Sequence, residues 1–338
     1  MGLGNFARFA AGLGLALASI APAQASNDTI EAAFDSALGT ELRQPRDYTP
    51  NYDTPFERQI AKLADGSGGR IGVAAVDLAT GEQIAVLGDQ RFPMASTSKV
   101  AIAATFLEGV DQGRLSLTSE YPLLLPVNSK PFSSAAAPVR KGQYLQAREL
   151  LTLMLTRSSN SATDALLAAV GGPSVVNDWA RRAGIEDYNL TRDIATLVRD
   201  DGEIDPAVQI DIRDSATPKA MVQLLSGLYQ GRWLSPESRT LLIGTMEQCR
   251  TGTRRIPALM PDDVTVAHKT GSLNNTSSDV GILTAPDGRS IAVAIYVTGQ
   301  GTRLNREHKI ASIARAIYDG YTAEDSRQWA SAKYRSTN

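Results

Sequence analysis

The chain has 338 residues, 43% of them hydrophobic and 21% charged, a balance that is ordinary for a globular protein with a large core. The formal net charge is -2 and the sequence contains no basic run, so composition gives no case for nucleic-acid binding. One cysteine, Cys249, and two histidines exclude a disulfide within the chain and leave little material for a zinc site or a histidine-based triad, so we expect no metal and no cofactor.

The N-terminal segment has the features of a cleaved export signal. A single cation, Arg8, precedes an apolar run over residues 9–18, and Ala23-Gln24-Ala25 is a small-x-small site suited to a signal peptidase. The alternative is a membrane anchor, but the run is short for a bilayer and Pro22 interrupts it. We therefore expect residues 1–25 to be a signal peptide and the mature protein to be exported to the periplasm, without a stable membrane span.

Regular structure is predicted over residues 54–322. Apolar residues recur at helical spacing after a Thr–Pro start at residue 54 and again over residues 306–318, which predicts a helix near each end of this region. Residues 96–250 are predicted to be mainly helix and loop, and residues 126–143, rich in Ser, Ala, Pro and Lys, to be a mobile loop. The predicted strands, rich in β-branched residues, are 71–78, 83–87, 265–269, 280–284 and 291–297.

This order of elements favours an α/β fold. One sheet would be built from both ends of the chain, with a helical region of about residues 96–250 inserted in its middle, and a catalytic cleft would lie between the two. Residues 54–322 would form this single catalytic domain. Residues 26–53 are expected to be a flexible mature N-terminus, and residues 323–338 a C-terminal tail.

A Ser-x-x-Lys sequence, Ser96 to Lys99, lies where a loop after the second strand enters an apolar helix. Residues i and i+3 share a helix face, so the Lys99 amine can reach the Ser96 hydroxyl near the positive end of the helix dipole. A partly desolvated lysine can take the proton of the serine and so activate it as a nucleophile. The tetrapeptide alone is weak support, because about one such sequence is expected by chance in a chain of this length.

Two further motifs follow in order: Ser158-Ser159-Asn160 after a helical run, and Lys269-Thr270-Gly271-Ser272 on a predicted strand. Together with Ser96 and Lys99, they resemble the Ser-x-x-Lys, Ser-Asp-Asn and Lys-Thr-Gly motifs of the penicilloyl serine transferases, and within that superfamily the class A β-lactamases. The resemblance covers nearly all of the mature chain. It implies the β-lactamase/transpeptidase-like fold, with a five-stranded antiparallel sheet and an all-helical insertion, and a small-molecule substrate that is a β-lactam or a peptidoglycan-like peptide.

The resemblance implies a catalytic role for four residues. Ser96 would be the nucleophile and Lys99 its activating neighbour. Ser158 would pass a proton to the leaving nitrogen, and Lys269 would supply positive charge to Ser158 and to the substrate carboxylate. An acyl-enzyme at Ser96 follows from these roles.

The same resemblance implies the residues that bind the substrate, together with Gly271. Asn160 would hold the substrate amide and orient the activating lysine, and Thr270 would hydrogen-bond the substrate carboxylate. The backbone N–H groups of the nucleophile and of Ser272 would form an oxyanion hole. Arg255 either pairs with the substrate carboxylate or is a surface arginine, and His268 is expected to be a strand residue beside the site rather than a catalyst.

The sequence departs from the family pattern in two places. Ser159 stands where the family has a structural Asp. In the Ω loop, Arg192 and Asp214 are the implied ion pair at the neck, 22 positions apart (192 to 214), which is longer than usual. Ile194 stands where the family has the Glu that activates the deacylating water, and Val198 where it has an Asn, and an isoleucine can neither activate nor hold a water.

Deacylation therefore has no evident base in the sequence. Glu203, in the lengthened loop, and Asp193 are candidates, although a solvated loop carboxylate is the favoured interpretation of Glu203. Three functions stay open: a hydrolase that opens β-lactams, with a relocated base or slowly; a D,D-peptidase-like penicillin-binding enzyme acting on peptidoglycan stem peptides; and a sensor that is acylated without turnover. The first is favoured, and the oligomeric state is not indicated.

Overall fold

A computed structural model describes residues 42–43 and 52–323. Its helices are α1 (Pro55–Leu63), α2 (Lys99–Asp111), α3 (Ala147–Thr156), α4 (Asn160–Val170), α5 (Pro173–Arg182), α6 (Ile194–Arg199), α7 (Pro218–Tyr229), α8 (Pro236–Glu247) and α9 (Arg303–Thr322), with 3₁₀ turns at Ala95–Ser98 and Ile256–Leu259. Its strands are β1 (Leu42–Arg43), β2 (Ile71–Asp77), β3 (Gln83–Val86), β4 (Phe92–Pro93), β5 (Glu120–Pro126), β6 (Val139–Gln146), β7 (Tyr188–Asn189), β8 (Ile210–Asp211), β9 (Ser215–Ala216), β10 (Thr265–Leu273), β11 (Thr276–Thr284) and β12 (Ser290–Thr298).

The central sheet has the strand order β10-β11-β12-β2-β3 and is antiparallel throughout. Two of its strands come from the N-terminal part of the described chain and three from the C-terminal part. The prediction of a five-stranded antiparallel sheet built from both ends is therefore confirmed. β10 and β11 are longer than predicted, because they continue to a tight turn at Asn274 and Asn275, where Asn275 has a left-handed φ of 50°.

Helices cover both faces of the sheet and separate two apolar cores. On one face, α1 and α9 pack together against β2 and β12, and the rings of Phe56 and Tyr321 meet edge to face at 5.2 Å. The other face packs against α7 and the helices of the inserted region, of which α2 is the most enclosed. Most of the side chains of α2 are fully buried, from Val100 to Leu107, which gives this helix a rigid setting.

The inserted region is mainly helical, as predicted, but it also contains a hairpin. β5 and β6 pair antiparallel from Glu120 opposite Gln146 to Pro126 opposite Val139. The prediction of a loop over residues 126–143 is therefore wrong from Val139 onward. The sequence pattern does not indicate β6, because both faces of this strand are largely exposed and it therefore carries polar residues where a half-buried strand would alternate polar and apolar ones.

Some predictions fall on parts of the chain outside the described residues. These are the signal peptide at 1–25, nearly all of the N-terminal segment 26–53, and the tail from residue 324. Within residues 52–323, none of the helices has the length and apolar character needed to cross a bilayer.

Candidate active site

The nucleophile predicted from the sequence, Ser96, lies on the 3₁₀ turn that leads into α2. The turn is held by its own side chains: Thr97 Oγ1 donates to Met94 O at 2.7 Å, and Ser98 Oγ donates to Ala95 O at 2.8 Å. Ala95 has a left-handed φ of 48°, which is strained for a residue with a side chain. Ser96 itself is partly exposed while its neighbours are buried, so a bound molecule can reach it.

Lys99 is fully buried and is the first residue of α2, directly after this turn in the chain. Its Nζ donates to Ser158 O at 2.8 Å, to Ser158 Oγ at 3.1 Å and to Asn160 Oδ1 at 2.8 Å. Burial, and then the nearby ammonium of Lys269, lower the pKa of Lys99 well below its usual value, against the opposing effect of Asp164. Three donated hydrogen bonds use all three protons of an ammonium, so Lys99 must lose one of them before it can accept a proton, and its lowered pKa favours that loss.

Ser158 and Asn160 lie at the junction of α3 and α4. Ser158 has a left-handed φ of 56°, and Asn160 is the first residue of α4. Ser159, which stands where the family has Asp, is the N-cap of α4, since its side chain accepts a hydrogen bond from Ala162 N at 3.3 Å. The departure from the motif therefore keeps a capping residue and leaves the side chains on either side of it in the cleft.

The edge strand β10 closes the other side of the cleft. The buried Lys269 donates from Nζ to Ser158 Oγ at 3.0 Å and to Thr270 O at 2.9 Å. Burial lowers the pKa of Lys269 to about 8, with a further contribution from Arg255 and against opposing effects of Cys249 and Asp279.

Gly271 is required where β10 meets the nucleophile turn. A Cβ added there would collide with the Ser278 side chain and would lie 2.7 Å from the backbone oxygen of Met94, closer than real Cβ contacts come. The backbone of β10 therefore approaches the turn that carries Ser96 more closely than any other residue type would allow. This approach brings the three predicted motifs into one cleft, with the exposed Ser272 at its rim.

Arg255 is only 1% exposed, so the interpretation as a surface arginine is wrong. Its guanidinium donates to Gly271 O at 2.7 Å and to Ser272 Oγ at 2.7 Å, and it forms an ion pair with Glu307 at 3.2 Å. It also donates to Ser278 O at 2.8 Å, on the adjacent strand. Arg255 thus stabilises the end of β10 through hydrogen bonds to β10 and to the adjacent strand β11.

The neck of the Ω loop is closed by an ion pair between Arg192 Nε and Asp214 Oδ2 at 2.6 Å. The Asp214 carboxylate also accepts hydrogen bonds from Thr191 N at 2.7 Å and Arg192 N at 3.1 Å. In addition, Asp214 O accepts from Met94 N at 2.9 Å. The neck is therefore joined directly to the segment that precedes Ser96.

Inside the loop, the carboxylates that were considered as replacement bases bind loop groups. Asp193 Oδ1 caps α6 by accepting from Thr196 N at 2.7 Å. Glu203, with a side chain 48% exposed, forms an ion pair with Arg213 Nη2 at 3.3 Å. Ile194 is buried, whereas Val198 is half exposed.

The sequence analysis missed a buried carboxylate, Asp164, beside Ile194. Its two oxygens accept from Ile194 N at 2.7 Å and Ala195 N at 2.9 Å. Burial raises the pKa of Asp164 to about 6, with a smaller contribution from the charge of Asp193. The hydrogen bonds from Ile194 N and Ala195 N, and then the charge of Lys99, act in the opposite direction. The available signal was its position four residues after Asn160, on the same face of α4. In the described part of the chain, no group of three or more His, Cys, Asp or Glu side chains is arranged to hold a metal ion.

Comparison with known proteins gives one consistent family. A family model described as "Beta-lactamase enzyme family" matches residues 55–321. The chain is 33% identical to β-lactamase CTX-M-25 of Escherichia coli over 270 residues, which is 78% of this chain and 89% of that protein. It is 29% identical to the extended-spectrum β-lactamase PER-1 of Pseudomonas aeruginosa over 276 residues, 78% of this chain and 86% of that protein.

Solved structures agree with this result. A β-lactamase from Chitinophaga pinensis superposes with a TM-score of 0.70 at 28% identity, covering 80% of this chain and all of that one (100%). The ancestral GNCA class A β-lactamase superposes with a TM-score of 0.68 at 34% identity, covering 78% of this chain and 99% of that one.

Proposed function

The chain belongs to the class A β-lactamase family, and on that basis we propose that β-lactams acylate Ser96 and that the protein hydrolyses their amide bond. The observation that carries the proposal is the convergence of Lys99 Nζ and Lys269 Nζ on Ser158 Oγ, at 3.1 and 3.0 Å, beside the partly exposed Ser96. Such an arrangement can move a proton from a nucleophile to a leaving group across one cleft.

In the acylation step, neutral Lys99 accepts the proton of the Ser96 hydroxyl while Ser96 Oγ attacks the lactam carbonyl carbon. As the C–N bond breaks, Ser158 Oγ gives its proton to the leaving nitrogen and takes one from the Lys99 ammonium. The existing hydrogen bond between Lys99 Nζ and Ser158 Oγ supports this return path. Atoms and charges then balance, with Lys99 neutral again and Ser96 esterified.

Substrate recognition is proposed to involve the edge of β10 and the end of α4. Lys269 and Thr270 would bind the substrate carboxylate, Asn160 the substrate amide, and the N–H groups of Ser96 and Ser272 the carbonyl oxygen. We propose that Arg255 stabilises this edge of β10 and does not itself pair with the substrate carboxylate, because its guanidinium is buried and its N–H groups already donate to protein acceptors.

Deacylation is proposed to be the slow step. By the sequence resemblance, Ile194 stands where the family has its base, and an alkyl side chain cannot activate water. Ile194 is 2% exposed. Loss of a general base costs on the order of 10²- to 10⁴-fold in rate. This observation favours a second candidate function, a D,D-peptidase-like penicillin-binding protein or a sensor that keeps its acyl group.

A chromogenic cephalosporin and benzylpenicillin distinguish these outcomes when colour and intact mass are followed together. Fast colour change without a persistent adduct supports the hydrolase, and a long-lived adduct supports the second candidate. Ser96→Ala should form no adduct, and Lys99→Arg should acylate about 10²- to 10⁴-fold more slowly, because arginine does not deprotonate. The absence of both turnover and adduct in the native protein would refute acylation at Ser96.

We also propose that export removes residues 1–25, as the sequence indicates. The intact mass of the protein recovered from the periplasm should then correspond to a chain that begins at Ser26. A recovered chain that keeps Met1 would contradict this proposal.

A further inference from the structure

A buried polar cluster lies behind the edge of β10 that carries Lys269 and Thr270. His268 Nδ1 is hydrogen-bonded to Asp279, at 2.9 Å from Oδ1 and 3.0 Å from Oδ2. The thiol of Cys249 lies close enough to the imidazole of His268 that each group shifts the pKa of the other. A thiol, an imidazole and a carboxylate are therefore connected in a row, outside the cleft described above.

The cluster is linked to the cleft by two hydroxyl groups. Cys249 Sγ lies 3.3 Å from Thr251 Oγ1, and Thr251 Oγ1 lies 2.6 Å from Thr270 Oγ1. Gly252, with a left-handed φ of 68°, lets this turn pack directly on the Thr270 side chain, since an added Cβ would collide with Thr270 Cγ2. The chain Cys249–Thr251–Thr270 thus ends on the hydroxyl assigned to the substrate carboxylate.

The direction of hydrogen bonding along this chain depends on the proton of Cys249, because each hydroxyl carries only one proton. A protonated Cys249 has two acceptors in reach, Thr251 Oγ1 at 3.3 Å and Thr251 O at 3.7 Å. When it donates to the nearer one, the hydroxyl, Thr251 donates to Thr270, and the Thr270 proton is left for a substrate acceptor. A thiolate only accepts. Thr251 then donates to the sulfur, Thr270 donates to Thr251, and Thr270 turns only lone pairs toward the substrate.

We propose that Cys249 is a positioning residue for substrate recognition, whose thiol proton directs the Thr270 hydroxyl toward an anionic group of the substrate. The inference rests on the proposed function in one respect, the assignment of Thr270 to the substrate carboxylate. An anionic substrate is then bound well when Cys249 is protonated and less well when Cys249 has lost its proton.

The groups that face Cys249 place its titration in the working range. His268 and Lys269 face it from β10, Asp279 lies behind His268 on β11, and Thr251 faces it from its own turn. Burial raises the pKa of Cys249, but the interaction with His268 and its positive charge outweigh burial and lower this pKa to about 7. Burial lowers the pKa of His268, but Asp279 and then Cys249 raise it to about 10, so His268 stays cationic while Cys249 titrates.

The first test measures the thiol itself and needs no β-lactam. The rate of alkylation by iodoacetamide, in which the thiolate displaces iodide, gives the midpoint of Cys249 titration, and intact mass verifies the single adduct. Thr251→Val removes the hydroxyl that donates to the thiolate and should raise the midpoint by about one pH unit. Thr251→Ser keeps the hydroxyl and should keep the native midpoint. Equal midpoints in the two variants would overturn the proposal.

The second test measures substrate recognition. For benzylpenicillin, the concentration that gives half-maximal acylation rate should rise about fivefold to tenfold between about pH 6 and pH 7.5 in the native protein and in Thr251→Ser. It should stay level over this range in Thr251→Val, which interrupts the hydroxyl chain and leaves Cys249 beside Lys269. Cys249→Ser removes the thiolate that raises the pKa of Lys269, so any rise in that variant should follow the titration of Lys269 alone. The limiting acylation rate should be the same in these proteins at each pH. A general loss of structure in a variant would instead lower its limiting rate.

The two proposals fail in different ways. The same rise in the native protein and in Thr251→Val would overturn the role of Cys249 while leaving acylation at Ser96 intact. If benzylpenicillin does not acylate at any pH, the proposed function fails, and the alkylation midpoints of the Thr251 variants still decide whether the hydrogen-bond chain operates.

Discussion

Two lysines of the cleft donate to one hydroxyl, Ser158 Oγ, and their surroundings give them different protonation. The pKa of Lys99 is lowered well below its usual value by burial and then by Lys269. The pKa of Lys269 is lowered only to about 8, because Cys249 and Asp279 partly offset its burial. Paired groups whose environments separate their pKa values are suited to opposite roles. Lys99 can therefore be the base while Lys269 keeps a positive charge near neutral pH.

The titration of Lys269 predicts a loss of affinity at high pH. Above about pH 8, Lys269 becomes neutral and no longer attracts a substrate carboxylate, so the benzylpenicillin concentration for half-maximal acylation should rise. In Lys269→Arg the charge persists, and the rise above pH 8 should be absent. The comparison uses the pH dependence within each protein, because the planar guanidinium changes the absolute values. A rise of equal size in both proteins would assign it to another group.

At the scale of elements, the six-residue helix α6 is held in the Ω loop from several sides. Asp193 caps it locally, and Asp164 of α4 binds its first two backbone N–H groups. The β5–β6 hairpin adds further bonds, from Ala137 N to Thr196 Oγ1 at 2.8 Å and from Phe132 N to Asp200 Oδ1 at 3.0 Å. The loop segment that contains Ile194 is therefore firmly attached to the wall of the cleft.

Removing these two carboxylates separately should have unequal effects on stability. Asp164→Ala leaves two buried N–H groups without acceptors and should lower the free energy of unfolding by about 2–4 kcal/mol. Asp193→Ala removes one N-cap and should cost about 1 kcal/mol. Urea unfolding monitored by circular dichroism measures both, and hydrogen exchange shows whether α6 opens first. Equal losses in the two variants would mean that Asp164 contributes no more than a cap.

Sequence patterns predicted elements better than contacts between them. The strand segments rich in β-branched residues were found, but the first part of β11 was missed, because Thr276 to Asp279 are polar although buried. Their burial depends on partners from distant segments, such as His268 for Asp279. The same limit applies to Asp164 and Ile194, which are 30 positions apart and meet only in the folded chain. The motif residues could be predicted because their family spacing was recognisable, whereas these supporting pairs follow from the fold alone.

At the scale of the whole molecule, the cleft lies where the edge of the sheet meets the inserted region. The nucleophile turn belongs to the inserted region and leads into the buried helix α2, while Lys269 and Thr270 belong to the sheet. Neither side alone has the complete set of groups proposed for acylation. We therefore expect the distance between the two sides to control the proposed acylation, and the contact of Gly271 with Met94 O limits that distance.

A methyl group at that contact should separate the two sides of the cleft. In Gly271→Ala the new Cβ would collide with Ser278 Oγ and would meet Met94 O at 2.7 Å and Ala95 Cβ at 3.1 Å. The serine side chain can rotate, whereas the backbone oxygen of Met94 cannot, so β10 has to move away from the turn that carries Ser96. We expect a loss of about 1–3 kcal/mol in the free energy of unfolding, and a fall of more than about tenfold in the rate of benzylpenicillin acylation as the donors of the oxyanion hole move apart.

The matched control is Gly244→Ala in α8, where an added Cβ has no neighbour within 4 Å. A helix-interior glycine without contacts should gain about 0.5–1 kcal/mol on this change and leave acylation at the native rate. Urea midpoints and acylation followed by intact mass give both quantities on the same samples. Native acylation in Gly271→Ala would mean that β10 can shift without cost to the site, and that the spacing between sheet and inserted region does not control the reaction.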